Sequence, residues 1–240
     1  MRNGMIIIDA DGHALDQESM YRQRLPEQFR RRQSIGGGAD GFDQRQNGRI
    51  PYPPVTVERY LQDADLEGID VPVATLWIRC AIAIQLLAMH TFSHTPEQLM
   101  ACTAVIYSGL LEQFPTLRVA LLEAGAGWVP FWMEHMDGEW SKRKFDAPLL
   151  KMSPSEYMRC GRVFVSCEPE EKTLPYVAEW LGADNILFPS DYPHWDGAFP
   201  EAVNELMERQ DVSDQLKRKI FCENPQRLYD FTVNPADFKT

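Results

Sequence analysis

Several common functional signals are missing from this sequence. Five cysteines are present, Cys80, Cys102, Cys160, Cys167 and Cys222, an odd number with no CxxC pair. That pattern offers no disulfide framework and reads as reduced, buried thiols of a cytoplasmic protein. Positive charge is scarce: 24 Lys and Arg stand against 35 Asp and Glu, for a net charge of −11 and a pI near 4.9. Such a chain repels phosphate backbones, which argues against general nucleic-acid binding. The one basic cluster, Arg30-Arg31-Arg32, reads as a solvated helix face. No basic stretch precedes an apolar run at the N-terminus, so no signal peptide is expected. No GxSxG elbow and no Cys–His arrangement mark a nucleophile. The apolar run over 71–92 is interrupted by Arg79, Gln85 and His90. Arg79 alone costs roughly 2.5–3.5 kcal/mol on insertion into a bilayer. With Pro72 near its start, the run reads as a strand followed by a buried helix rather than a membrane span.

The hydrophobic share is 44% and the aromatic share 11% over 240 residues, enough for one domain with its own core. Residues 1–240 are read as a single domain. Residues 5–10 (MIIIDA) form an apolar run with no helical period, a strand buried on both faces. Residues 16–54 are polar and irregular, with Gly36-Gly37-Gly38 and Pro51, Pro53 and Pro54, and read as a long loop serving as a lid or a subunit contact. A helix is expected over 55–68, stopped by Gly68, and a strand over 69–77. Thr95-Pro96-Glu97-Gln98 reads as a helix start with a capping box, and Leu99, Cys102, Ile106 and Leu110 give the stripe of that helix. Strands are expected over 117–124, 162–167 and 186–190. Helices are expected from Trp128 onward, over 173–181 closed by Gly182, over 200–209 and 213–221, and briefly from Asn224-Pro225. Strands alternating with helices specify a parallel sheet with crossover helices. Five strands are legible, whereas a closed (β/α)8 barrel needs eight.

In parallel α/β folds, chemistry gathers at the C-terminal ends of strands. After the first strand come Asp11 and His13, two apart, so that an extended chain points both to one face. A carboxylate and an imidazole so placed suit one divalent metal. Glu123 ends the third strand, a costly place for a carboxylate unless it is paired or metal-bound. Asp191 follows the fifth strand, within Ser190-Asp191-Tyr192-Pro193-His194, and Glu168 is a weaker member of the set. Each has a plainer alternative: a turn at Asp11-Gly12, a salt bridge for Glu123, a cap before Pro193 for Asp191. His90 and His94, placed just before a helix, and His135, placed on one, read as structural. Gly125-x-Gly127 suggests a phosphate cradle but lacks the third glycine of the dinucleotide fingerprint.

Together DADGH, FSHTPEQLMA, EQFPTLRVALLEAGAGWVPFWMEHMD, FVSCEPEEKTLPYVAEWLGADNILFPSDYPH and ENPQRLY resemble the amidohydrolase-related (amidohydrolase-2) family, which is similar to aminocarboxymuconate-semialdehyde and resorcylate decarboxylases. The resemblance spans the first strand and nearly everything from His90 to Phe231. It implies a TIM-type (β/α) barrel, here incomplete, with about five strands and the central ones missing. It further implies one divalent metal, Zn2+ foremost and Mn2+ next. Asp11 and His13 match the first-strand ligands. Asp191 matches the last-strand Asp, both ligand and acid/base. Glu123 stands where decarboxylase relatives carry an active-site His, and His194 follows the last-strand Asp toward the pocket. Relatives carry a further ligand His on a mid-barrel strand; this chain has no counterpart, unless His90 or His94 substitutes.

Three readings follow. The first is a metal-dependent hydrolase or non-oxidative decarboxylase acting on a small organic or carboxylate substrate. The second is a truncated, non-catalytic relative that forms homo-oligomers through open sheet edges. The third, a nucleotide-binding domain, rests on Gly125-x-Gly127 alone.

Overall fold

The computed structural model describes residues 5–13, 62, 65–66, 71–75, 86–192, 194 and 197–234; for 10–13, 71–75, 86–90, 92 and 93 the description is of the backbone only. The expected loop over 16–54 and most of the expected helix over 55–68 lie outside the described residues. Five strands are described: β1 (Ile8–His13), β2 (Val71–Thr75), β3 (Val119–Leu121), β4 (Val163–Ser166) and β5 (Ile186–Leu187). All pairings are parallel. β1 pairs with β2, and β3, β4 and β5 lie side by side in that order.

The helices are α1 (Leu86–Tyr107), α2 (Leu110–Gln113), α3 (Val129–Lys142), α4 (Pro154–Arg159), α5 (Leu174–Leu181), α6 (Ala202–Met207), α7 (Asp214–Arg218) and α8 (Asn224–Tyr229), with a π-helical turn (Lys219–Glu223) joining the last two. Crossover helices between parallel strands make this an incomplete α/β barrel. None of the described helices is long and apolar enough to cross a membrane. The four described cysteines, Cys102, Cys160, Cys167 and Cys222, are free thiols, and Cys102 and Cys167 are buried.

Why these segments adopt these forms is mostly local. β4 is buried at all four positions. Val163 and Val165 pack with Val177, Leu181, Met133 and Phe221, whereas Phe164 joins Leu187 and Leu228 in a second cluster. The two-residue alternation therefore places apolar side chains on both faces, as a covered parallel strand requires. α5 ends at Gly182, whose φ of 106° few other residues tolerate. Ser213 caps α7 by accepting the Leu216 N–H at 3.2 Å.

Three local readings change. α1 begins at Leu86, not at Thr95, and carries Pro96 inside it. An internal proline costs about 3 kcal/mol, and α1 nonetheless runs through Pro96 to bury Cys102 and Ile106 farther along. Gln98 makes no capping box: its Nε2 donates to Leu122 O at 2.6 Å, tying α1 to the end of β3. His90 and His94 accordingly lie within α1 rather than before it. α4 was not expected, although Ser153 and Glu156 form a true capping box there. Its start is anchored to α3 by Asp137, which accepts from Ser155 N and Oγ at 2.8 and 2.6 Å.

Candidate metal centre

Three side chains named from the sequence converge where β3 and β5 end. One ligand atom from each of Glu123, Asp191 and His194 lies within 4.8 Å of the others. His194 Nδ1 is 2.8 Å from Asp191 Oδ1, and the His194 N–H returns to Asp191 O at 2.8 Å. His194 is buried and the two carboxylates are half-buried.

The backbone that aims the carboxylates is unusual. Among the described residues only Glu123 (φ 72°), Asp191 (φ 54°) and Asp230 (φ 59°) are non-glycine residues in the left-handed region. That region costs an ordinary L-residue roughly 1–2 kcal/mol. Two of the three are the carboxylates of this cluster, and such conformations persist where surrounding contacts impose them.

Those contacts are identifiable. The Glu123 N–H donates to Ser166 Oγ at 3.2 Å, linking the ends of β3 and β4. The next turn is held by Glu171, which accepts from Ala126 N–H (3.0 Å), Glu168 N–H (3.3 Å) and Thr173 Oγ1 (2.9 Å). A Cβ on Gly127 would stand 2.7 Å from Glu171 Oε1 and 2.8 Å from Thr173 Oγ1. Gly125-x-Gly127 thus makes room for a carboxylate of the chain itself, and the Ala126 amide that a phosphate would use is taken.

A cavity of about 730 Å3 opens beside Asp191, bordered by Glu168, Glu170, Glu205 and Asp211 with Lys172 and Arg209. Burial, then the charges of Asp191, Glu170, Glu171 and Glu123, push the Glu168 carboxyl up to about 8. Arg209 is committed: it forks onto Asp211 (2.6 and 3.0 Å) and donates to Pro169 O and Glu171 O. The surplus of carboxylates makes the cavity a place where a cation is favoured.

Asp11 and His13 occupy the C-terminal half of β1, where Gly12 and His13 stand opposite Ala74 and Thr75. Their side chains lie outside the described part of the structure. His94 is half-buried on α1 and His135 stacks on Phe131 with ring centroids 5.8 Å apart; neither joins a metal-type cluster among the described residues.

Sequence reasoning passed over two of the groups that hold these loops, Glu171 and Asp9, and read the third, Gln98, as a helix cap. Asp9 had a signal, since a carboxylate inside an apolar strand needs buried donors. It is 1% exposed and accepts from Ser190 N–H at 3.0 Å and Ser190 Oγ at 2.5 Å.

No curated protein matches the chain. Among solved structures it is similar to an amidohydrolase from Mycobacterium avium subsp. paratuberculosis (25% identity, TM-score 0.48, 54% of this chain and 32% of that one). It is also similar to 2,6-dihydroxybenzoate decarboxylase from Rhizobium (20%, TM-score 0.51, 76% and 58%) and to a dihydroxybenzoic acid decarboxylase from a Polaromonas species (20%, TM-score 0.50, 76% and 56%). The chain thus spans between 32% and 58% of the length of these relatives. Residues 83–231, well over half of the chain, match the amidohydrolase family model, and the chain belongs to that family.

Proposed function

We propose that this protein is a metal-dependent hydrolase or non-oxidative decarboxylase acting on a small organic carboxylate. The observation that carries the reading is the convergence of Glu123, Asp191 and His194 at the ends of β3 and β5, the two strands that flank β4. Two carboxylates and an imidazole match the donor preferences of Zn2+ and Mn2+. In our reading Asp191 and His194 hold the cation with Glu123, and Asp11 and His13 complete the set from the end of β1. Zn2+ is our first choice; Mn2+ is the second, and the Polaromonas decarboxylase was crystallised with manganese. A cation so held would act as a Lewis acid toward a substrate oxygen or lower the pKa of water.

The chain's own residues supply the rest. The Asp191 carboxylate accepts from His194 Nδ1, which makes Nε2 the basic ring nitrogen. Asp191 is the proton-transfer group beside it. Lys172, exposed at the cavity border and in no ion pair among the described residues, is the cation offered to a substrate carboxylate. Ser190, Tyr192 and His194 are buried beside Asp191.

Metal analysis after loading with Zn2+ or Mn2+ and dialysis tests the reading. About one bound equivalent is expected, lost in Asp191→Asn; well under one in the wild type refutes it. Release of CO2 from 2,6-dihydroxybenzoate, used as a probe, would separate decarboxylation from hydrolysis.

The competing reading is a shortened, non-catalytic relative that self-associates through sheet edges. It is supported by the five described strands lying in two short sheets, and by the partial coverage of the relatives. A monodisperse monomer with turnover, seen by size exclusion and assay, would exclude it.

A further inference from the structure

The buried carboxylate of Asp9 belongs to no ligand cluster among the described residues, yet it reaches the site across 181 positions of sequence. It accepts both donors of one residue, the backbone N–H and the hydroxyl of Ser190. A carboxylate receiving two hydrogen bonds in a nearly dry setting is a strong, directional anchor. Ser190 Oγ, whose O–H donates to Asp9, accepts the Tyr192 N–H at 3.1 Å. Asp191 lies between the two clamped amides, with a φ of 54°. From there its side chain meets His194 Nδ1. Gly197 backs the same loop: a Cβ there would stand 3.2–3.4 Å from the carbonyls of Ser190, His194 and Asp191.

We propose that Asp9 is a positioning residue: acting through Ser190, it imposes the left-handed backbone of Asp191 and thereby the alignment of Asp191 with His194 and Glu123. The same anchor ties β1, the strand of Asp11 and His13, to the loop of Asp191. A carboxylate outside the Glu123–Asp191–His194 cluster thus links the two chain segments that carry the inferred ligand set. Its metal consequence rests on the proposed function; its structural consequence does not.

The test compares wild type, Asp9→Asn, Ser190→Ala, Ser190→Thr and Asn224→Ala. The last removes hydrogen bonds to Ala183 O and Ile186 O at the opposite end of β5 and controls for lost stability. The first readout, on metal-free protein, is the ring 15N resonances of His194, assigned with His194→Gln. The δ-protonated pattern set by Asp191 is expected in wild type, Ser190→Thr and Asn224→Ala, and is expected to be lost in Ser190→Ala and Asp9→Asn. The second is Mn2+ affinity by calorimetry. It should weaken about 10- to 100-fold in Ser190→Ala and Asp9→Asn, and stay within about 3-fold in Ser190→Thr, as for groups that orient metal ligands from behind. Equal losses in Asn224→Ala would reduce Asp9 to a stability element and overturn the proposal. Should wild type bind no Mn2+, the metal reading falls and the His194 ring alone judges Asp9. An unchanged ring pattern in both Ser190→Ala and Asp9→Asn overturns it.

Discussion

Replacing Glu168 by glutamine should stabilise the metal-free protein above neutrality and leave it nearly unchanged at pH 5. Burial, and then the negative charges of Asp191, Glu170, Glu171 and Glu123, raise this carboxyl from 4.5 to about 8. Lys172 and Arg209 border the same cavity, but Arg209 is already bound to Asp211. The folded protein therefore keeps a proton on Glu168 that the unfolded chain releases near its ordinary value. Between these two values the unfolded state binds fewer protons, so stability falls as pH rises and the loss is complete above about 8. At 1.36 kcal/mol per pKa unit the ceiling is about 5 kcal/mol. The side chain is only partly buried, and solvent screening brings the expected loss to about 2–3 kcal/mol. Urea unfolding at pH 5, 7 and 9 measures it. Wild type should lose that much more stability than Glu168→Gln between pH 5 and pH 9. Parallel pH profiles for the two proteins would refute the reasoning.

Other outcomes follow from the same contacts. A bound cation should raise the melting temperature: at a concentration 100 times its Kd the gain is about 2.7 kcal/mol, absent in Asp191→Asn, and differential scanning calorimetry reads it. Asn224→Ala strands the Ala183 and Ile186 carbonyls in the core and should cost about 2–3 kcal/mol in denaturant unfolding. Gly127→Ala drives a methyl against Glu171 and should cost about 1–3 kcal/mol by the same measurement, whereas Gly138→Ala, half-buried but with nothing near its Cβ and inside α3, should gain about 1 kcal/mol. Lys172→Ala should raise KM for a carboxylate substrate about tenfold and change kcat little, a loss of uniform binding.

Much of the architecture was legible from short stretches. The apolar runs around Val119, Val163 and Ile186 could only be buried strands, because a parallel sheet covered on both faces needs continuous apolar sequence. Gly182 marked a helix end because backbone conformation is a local matter. Strand ends also pointed to Glu123 and Asp191 as positions for chemistry, since in this class of fold side chains there share one face. Pro96 misled: its local preference is for a first helical turn, yet α1 begins ten residues earlier, at Leu86, and runs through it.

What the sequence by itself determined is the class of fold, the family motifs and the kinds of side chain available to a cation. Those depend on residue type and on periods of two or about four residues. Only the tertiary structure decided that Glu123, Asp191 and His194 come within 4.8 Å, that Glu171 fills the turn a phosphate would need, and that Asp9 anchors Ser190. These are contacts between residues far apart in sequence. They exist because folding stacks the strand ends side by side, and no local pattern encodes which end will face which.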